Sequence, residues 1–210
     1  MHRNNHTPQS NECLICFKSV YRHTYLLSMF ASPNLCLDCL GKLDVIFKKE
    51  TLYNTPILYL YTYNDFFKSL LFRYKGQYDL ALAPVFLDAY LWWLQLKYRR
   101  YIVAPCPSSN SQNMIRGFAP MEEIAKTLNL PLFTGLYKKY EYKQSDQHFY
   151  NRARIKDVIA IRDEEKIKGK KVLLIDDVMT SGHTVKACID CLKKGEPAYI
   201  QVLILGRHSN

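Results

Sequence analysis

The chain is short of acid. Its 210 residues carry 19 Asp and Glu against 29 Lys and Arg, a formal charge of +10 at pH 7. An excess of that size favours polyanionic partners, with nucleic acid and phosphorylated ligands first and anionic membrane second. The opening residues MHRNNHTPQSNE lack the apolar core of about 7 to 15 residues that a secretory signal carries behind its charged start, so a cytoplasmic protein is expected. A membrane span of about 20 apolar residues is missing too. The longest apolar stretch, Leu80 to Leu96, is broken by Pro84 and contains Asp88 and Gln95, so it reads as buried helix with no membrane span. Internal repeats and low-complexity linkers are absent, and 48% apolar content excludes disorder as the default. A chain of this length buries roughly 70% of its unfolded surface, enough for one full domain and a small appendage. Seven cysteines without an export signal argue against a disulfide framework and for metal ligation or buried thiols.

What is present changes character near residue 50. Cysteines dominate before it and periodic structure follows it, which predicts a small four-cysteine unit over residues 1–50 and a larger domain over 51–210. Ile57 to Tyr63 (ILYLYTY) is dense in β-formers and reads as a strand. Asn64 is a plausible cap for a helix from Asp65 to Tyr74, closed by Lys75-Gly76, with Phe66, Phe67, Leu70, Leu71 and Tyr74 as its apolar face. A second helix is expected from Asp79 to Tyr98, tolerating or kinking at Pro84. Beyond residue 100 the pattern alternates: strand Tyr101 to Pro105, helix Met121 to Leu128, a candidate strand Val158 to Ile161, strand Val172 to Ile175, helix Thr184 to Lys194 and strand Ala198 to Leu205. That order is α/β. The nearly continuous apolar runs Val172–Ile175 and Ile200–Leu205 suit strands covered by helices on both faces, so a parallel sheet is expected.

Cys13-Leu-Ile-Cys16 and Cys36-Leu-Asp-Cys39 form two CxxC knuckles separated by nineteen residues, within the spacing range of four-thiolate zinc sites. Four cysteine ligands leave no open position for water or substrate, so a zinc ion there is expected to be structural. His2, His6 and His23 lie nearby and could compete as ligands. Cys188 and Cys191 repeat the spacing but fall mid-helix without a second pair, and read with Cys106 as packed thiols.

The segment Val172 to Thr184 reads VLLIDDVMTSGHT. An apolar strand delivers Asp176 and Asp177 at its carboxyl end, where ligands of open α/β sheets bind. After Val178 and Met179, the loop Thr180-Ser181-Gly182-His183-Thr184 opens a helix. Its hydroxyls, the backbone access at Gly182 and the free N–H groups of the helix start favour a phosphate. The paired carboxylates suit vicinal sugar hydroxyls, or a magnesium ion bridged to them. Tyr137-Lys-Lys-Tyr-Glu-Tyr-Lys143 and His148 to Arg154 interleave cations with rings, and Lys138, Lys139, Arg152 and Arg154 are candidates for a single-strand nucleic-acid surface; a solvated loop with half-buried tyrosines is the competing reading.

At Asp176 to Thr184 the chain resembles the type I phosphoribosyltransferases. The resemblance implies that Asp176 and Asp177 meet the ribose hydroxyls of phosphoribosyl pyrophosphate and that Thr180 through Thr184 bind its 5′-phosphate. With the two knuckles, nearly the whole chain is similar to the ComF-like competence family, an amino-terminal four-cysteine finger joined to a phosphoribosyltransferase-like domain. Leu70 to Gly76 (LLFRYKG), Val103 to Ser108 (VAPCPS) and Arg116-Gly117-Phe118 are further family-like pieces. They imply a pyrophosphate loop at Pro107, Ser108 and Arg116, and a basic loop over the pocket containing Gln144-Ser145 and Asn151-Arg152. The chain departs from the pattern at Ser109 to Met114, where basic residues are usual, and at Ala119, where Asn is usual; both predict weaker pyrophosphate binding. Phe17 replaces a usual Gly after the first knuckle and is expected to strain that turn. The family implies natural transformation, with single-stranded DNA, a competence helicase and DNA-processing proteins as partners beside the uptake machinery. An active phosphoribosyltransferase acting on a nitrogen acceptor is the alternative, although no dedicated catalytic base is visible. A nucleotide-sensing regulator ranks last, for want of a recognition helix.

Overall fold

The computed structural model describes residues 12–20, 34–139 and 159–208. Arg152, Arg154, His2, His6, His23 and the Gln144 to Asn151 segment lie outside those residues. The amino-terminal knuckles lead into α1 (Leu37–Lys42), then the hairpin β1 (Val45–Leu52) and β2 (Thr55–Thr62). Tyr53 and Asn54 form its two-residue turn with φ of 52° and 57°, the left-handed pair that matches the twist of a tight hairpin. Residue 50 lies within β1.

The remaining elements are α2 (Asp65–Gly76), α3 (Val85–Asp88), α4 (Leu91–Tyr98), β3 (Tyr101–Pro105), α5 (Asn110–Arg116), α6 (Pro120–Lys126), β4 (Leu136–Lys138), β5 (Ile159–Ile161), β6 (Lys171–Met179), α7 (His183–Lys193) and β7 (Tyr199–Arg207). Among the described residues, five strands form one sheet in the order β1-β2-β7-β6-β3, and β4 pairs with β5 in a separate antiparallel ribbon. The four strands from β2 to β3 are mutually parallel, and β1 joins antiparallel at the edge. The expected α/β class with a parallel sheet flanked by helices is therefore what the chain adopts.

Alternation along each strand sorts its residues between two cores. Leu58, Leu60, Val103, Leu173, Ile175, Leu203 and Leu205 face α2, α4 and α6. Ile57, Tyr59, Ala104, Val172, Leu174, Val202 and Ile204 face α7. Helix α2 begins as expected, with the Asn64 side chain accepting from the Phe67 N–H at 2.8 Å.

One expected helix is not continuous. Residues 79–98 form a 3₁₀ turn at Leu80–Leu82, then α3, then α4. Pro84 has no N–H to return to the preceding turn, and Tyr90 leaves helical geometry at φ −128° and ψ 16°. The break leaves Asp88, at the end of α3, buried against the finger, where its carboxylate accepts from the Asn34 N–H at 3.1 Å. Arg73 of α2 makes a second tie, donating to the Ile15 carbonyl at 2.8 Å while paired with Asp79. Leu35, Cys39 and Leu43 belong to the same apolar cluster as the sheet face, so the finger shares the domain's core.

Removing either tie leaves a part-buried backbone group without its charged partner. Arg73→Ala and Asp88→Ala are each expected to lower the free energy of unfolding by about 1–3 kcal/mol in urea titrations. Wild-type midpoints in both variants would show that the finger is not anchored through these residues.

Candidate functional site

Strand β6 does not end before the acidic pair. It carries Asp176 and Asp177 within its last turn-ward residues, because β7 stays paired with it through Asp176↔Ile204, Val178↔Gly206 and Met179↔Arg207. Consecutive strand residues point to opposite faces, so the two carboxylates serve different surroundings. Asp177 lies on the α2 side and is ion-paired with Lys75, the last basic residue of that helix. Asp176 lies on the α7 side near the buried Cys106 thiol, which is in turn 3.8 Å from the Cys188 sulfur. The Asp177 N–H donates to Asp176 Oδ1 at 3.0 Å, locking the pair together.

These surroundings separate the two acids. Burial, and next the neighbouring Asp177 charge, push the Asp176 carboxyl up to about 7. Burial works against ionising Asp177 as well, but the Lys75 ammonium outweighs it and holds that carboxyl below its ordinary range. The hydrogen bond with Cys188, then burial, then the nearby Asp176 charge raise the Cys106 thiol strongly, which suits a packed, inert cysteine.

Lys75 was not among the residues expected in the site. It sits in the LLFRYKG segment, as the last cation of α2 before Gly76, and nothing in its local pattern distinguishes it from other helix-closing lysines. Its place is fixed by two neighbours: the Tyr74 hydroxyl donates to the Pro120 carbonyl at 2.7 Å, and Arg116 Nε donates to the Lys75 carbonyl at 3.0 Å. Arg116 also donates to Gln112 at 2.8 Å, so it stands on α5 with its guanidinium turned to the end of α2.

Pro107 and Ser108 follow β3 to the same end of the sheet, where the Cys106 N–H donates to the Ile175 carbonyl at 2.9 Å. Ser108 bonds Asn113 at 2.5 Å, and Ser109 and Ser111 bond at 2.9 Å, which ties this loop back onto α5. Past β6, Thr180 and Ser181 are exposed, and the His183 ring bonds the Ser181 hydroxyl at 2.6 Å. Gly182 precedes α7 with φ 71°, and a β-carbon there would come within 3.1 Å of Leu52 and 3.4 Å of Met179. Gly182, the N-cap residue, makes no side-chain cap, so among the described residues the first N–H groups of α7 remain available to an anion. Thus the acidic pair, the Thr180 to Thr184 loop and the Pro107-Ser108 loop meet at one sheet end, with Lys75 and Arg116 beside them.

The four knuckle cysteines also converge. Their sulfur atoms all lie within 4.8 Å of one another, and Cys16 and Cys36 are 3.6 Å apart. Four thiolates around an ion at about 2.3 Å would be separated by about 3.8 Å, so the set fits a tetrahedral metal. Burial raises the Cys13 thiol, yet hydrogen bonds from the backbone at Cys36, Cys16 and Ile15 reverse this and bring it to about 6. Phe17 takes the strained turn expected of it, with φ 61°. Lys138 ends β4 and Lys139 follows, beside a Tyr137 ring that Arg162 faces at 6.0 Å. Among the described residues no helix is long and apolar enough to cross a membrane.

Residues 114–209 match the family model described as Phosphoribosyl transferase domain, and that stretch is a phosphoribosyltransferase-type domain. It contains Arg116 and the whole Asp176 to Thr184 segment. The bifunctional protein PyrR of Geobacter sp. (strain M21) is 48% identical over 40 residues, 19% of this chain and 23% of that protein. The transcriptional regulator GfcR of Methanobrevibacter smithii is 52% identical over 40 residues, 18% of this chain and 20% of the regulator. The chain thus spans about a fifth of the length of these curated relatives. A purine phosphoribosyltransferase structure from Pyrococcus horikoshii Ot3 aligns over 70% of this chain and 76% of that one, at 21% identity and a TM-score of 0.36.

The raised Asp176 carboxyl has a pH signature. It ionises near 3.8 when unfolded and about 7 when folded, so its stabilising contribution is complete below pH 4 and is lost as pH rises to 7. Asp176→Asn is expected to be more stable than the parent above pH 7 and to lose that advantage by pH 4, as read from thermal unfolding across that range. A constant difference would contradict the assignment.

Proposed function

We propose that the chain is a competence protein that handles incoming single-stranded DNA and carries a phosphoribosyl pyrophosphate-type pocket at the carboxyl end of its sheet. The carrying observation is the convergence of Asp176, Asp177 and the uncapped Thr180 to Thr184 helix start on one edge. In this reading Thr180 through Thr184, with Gly182 giving close backbone approach, hold the 5′-phosphate. Asp176 and Asp177 accept from the ribose hydroxyls, with Val178 and Met179 carrying the chain between the two groups. Pro107, Ser108 and Arg116 line the pyrophosphate side. Magnesium, when bound with the sugar phosphate, would neutralise its phosphate charge beside the acidic pair. Lys75 then serves as the resident counter-ion of Asp177, occupying that carboxylate in the absence of a ligand.

The DNA-handling part is supported by the net charge, by the family resemblance of the finger and domain together, and by the cations Lys138, Lys139, Arg152 and Arg154 in the sequence. The proposed division gives the finger to residues 1–50 and the pocket to 51–210. Cys13, Cys16, Cys36 and Cys39 hold a structural zinc, since four soft thiolates in this geometry favour that ion and leave it closed to substrate. An active phosphoribosyltransferase is the second reading, favoured by the intact acidic pair. Catalysis would then rest on positioning and charge stabilisation.

Two measurements separate these ideas. Calorimetry with phosphoribosyl pyrophosphate and magnesium should show binding to the parent and at least about a tenfold loss in Asp176→Asn/Asp177→Asn, equivalent to about 1.4 kcal/mol. No binding to the parent would overturn the pocket, and pyrophosphate release with any base or amine would favour the enzyme.

Elemental analysis should find one zinc per chain. Because the finger shares the domain's core, Cys16→Ser/Cys36→Ser should lower the unfolding temperature of the whole protein rather than that of a separate unit.

A further inference from the structure

At the opposite end of the sheet, three adjacent strands begin in register. Tyr101 of β3 pairs with Lys171 of β6, and Lys171 pairs with Tyr199 of β7. In-register residues of a parallel sheet share a face, so these side chains stand in one row on strands about 4.8 Å apart. The rings meet above the middle strand: Tyr101 and Tyr199 lie edge to face with centroids 6.4 Å apart, and the Lys171 ammonium stands 5.8 Å from the Tyr101 ring. Tyr98, buried at the end of α4, supports Tyr101 from below at 5.2 Å.

Exposed cations surround this row. Arg99 and Arg100 directly precede Tyr101, and Lys170 precedes Lys171. Lys97, one turn of chain earlier, stands over the Trp93 and Tyr98 rings at 5.2 and 5.5 Å. Among the described residues none of these cations has a carboxylate within ion-pair distance, whereas Lys18, Lys126, Lys166 and Lys168, also exposed, each have one. Tyr199 is 43% exposed, a large ring left facing solvent among charges. Positive charge concentrated without counter-ions attracts a polyanion, and accessible ring faces spaced among the cations add a surface on which unpaired bases stack.

We propose that this end of the sheet is a binding surface for single-stranded nucleic acid, with Arg99, Arg100, Lys170 and Lys171 on the phosphates and Tyr101 and Tyr199 against the bases. It rests on the reading of the chain as a single-strand binder and adds a surface separate from the β4 segment. It also lies apart from the acidic pocket: Lys171 and Asp177 are separated by six strand residues, about 20 Å. A strand held here leaves the pocket open to its own ligand.

The test uses the full-length protein and a fluorescein-labelled oligothymidylate, with anisotropy measured across a salt series. Arg99→Ala/Arg100→Ala should weaken binding and reduce the slope of log affinity against log salt by about 1.4, the value for two lost contacts on a single strand. Tyr199→Ala should weaken binding about tenfold, with Tyr199→Phe restoring most of it. Circular dichroism checks that each variant is folded. Parent-like affinity and slope in both alanine variants, with loss only in Lys138→Ala/Lys139→Ala, would overturn this surface and leave the single-strand reading intact. A parent that binds no oligonucleotide overturns both. Binding of the parent to phosphatidylserine vesicles in place of the oligonucleotide, abolished by the arginine substitutions, would reassign the patch to a membrane surface.

Discussion

Parallel pairing of β6 with β7 extends to Met179↔Arg207, whereas its pairing with β3 on the other side stops at Pro105↔Ile175. The acidic pair lies in the stretch between those two limits. One neighbour holds the backbone of Asp176 and Asp177 straight, and the departure of the other opens a crevice beside them. An open α/β sheet creates a ligand position where a neighbouring strand turns away, and here the turning segment is Cys106-Pro107-Ser108. Had β3 continued beside β6, strand pairing would close the backbone edge on that side. Had β7 stopped as early as β3, the carboxylates would sit on an unsupported loop.

The same end of the sheet is braced from both faces. On one face α2 is pinned by Tyr74 and Arg116, and this aims Lys75 at Asp177. On the other, α7 brings Cys188 against Cys106 behind Asp176. Two carboxylates adjacent in sequence thereby acquire opposite electrostatic biases, one charged and one inclined to hold its proton. The finger contributes to this bracing at one remove. Arg73, two residues before Lys75, is fastened to the Ile15 carbonyl, so the knuckle and the pocket hold the same last turns of one helix.

Much of this was legible in the residues. Apolar runs at Val172 and Ile200 announced central strands, and the knuckle spacing announced a cluster whose sulfurs do converge. Asn64 capped the helix it was expected to cap. The misses have physical causes. Residues 79–98 looked like one helix because their apolar periodicity survives the breaks at Pro84 and Tyr90, while the contact that the broken helix makes, Asp88 with Asn34, spans a long stretch of chain. Two adjacent aspartates read as loop in the sequence, and only the reach of β7 keeps them extended in β6. Lys75 was invisible as a site residue because its partner is distant in sequence. The row of Tyr101, Lys171 and Tyr199 was hidden for the same reason, since it exists only once three strands are in register.

The placement of β2 carries one more consequence. Its parallel partner is β7, the last strand of the described chain, with Ile57 opposite Val202. During synthesis the apolar segment ILYLY must therefore wait for nearly the whole domain before its inner edge is covered, a long-range closure that is intrinsically slow. Strand β1 can pair with it at once through the Tyr53-Asn54 turn, and β1 carries the exposed Lys48 and Lys49 along the other edge. Charged residues on an edge strand discourage pairing with another chain. The hairpin that joins the finger to the sheet thus closes one edge of this apolar strand locally and leaves the other for β7.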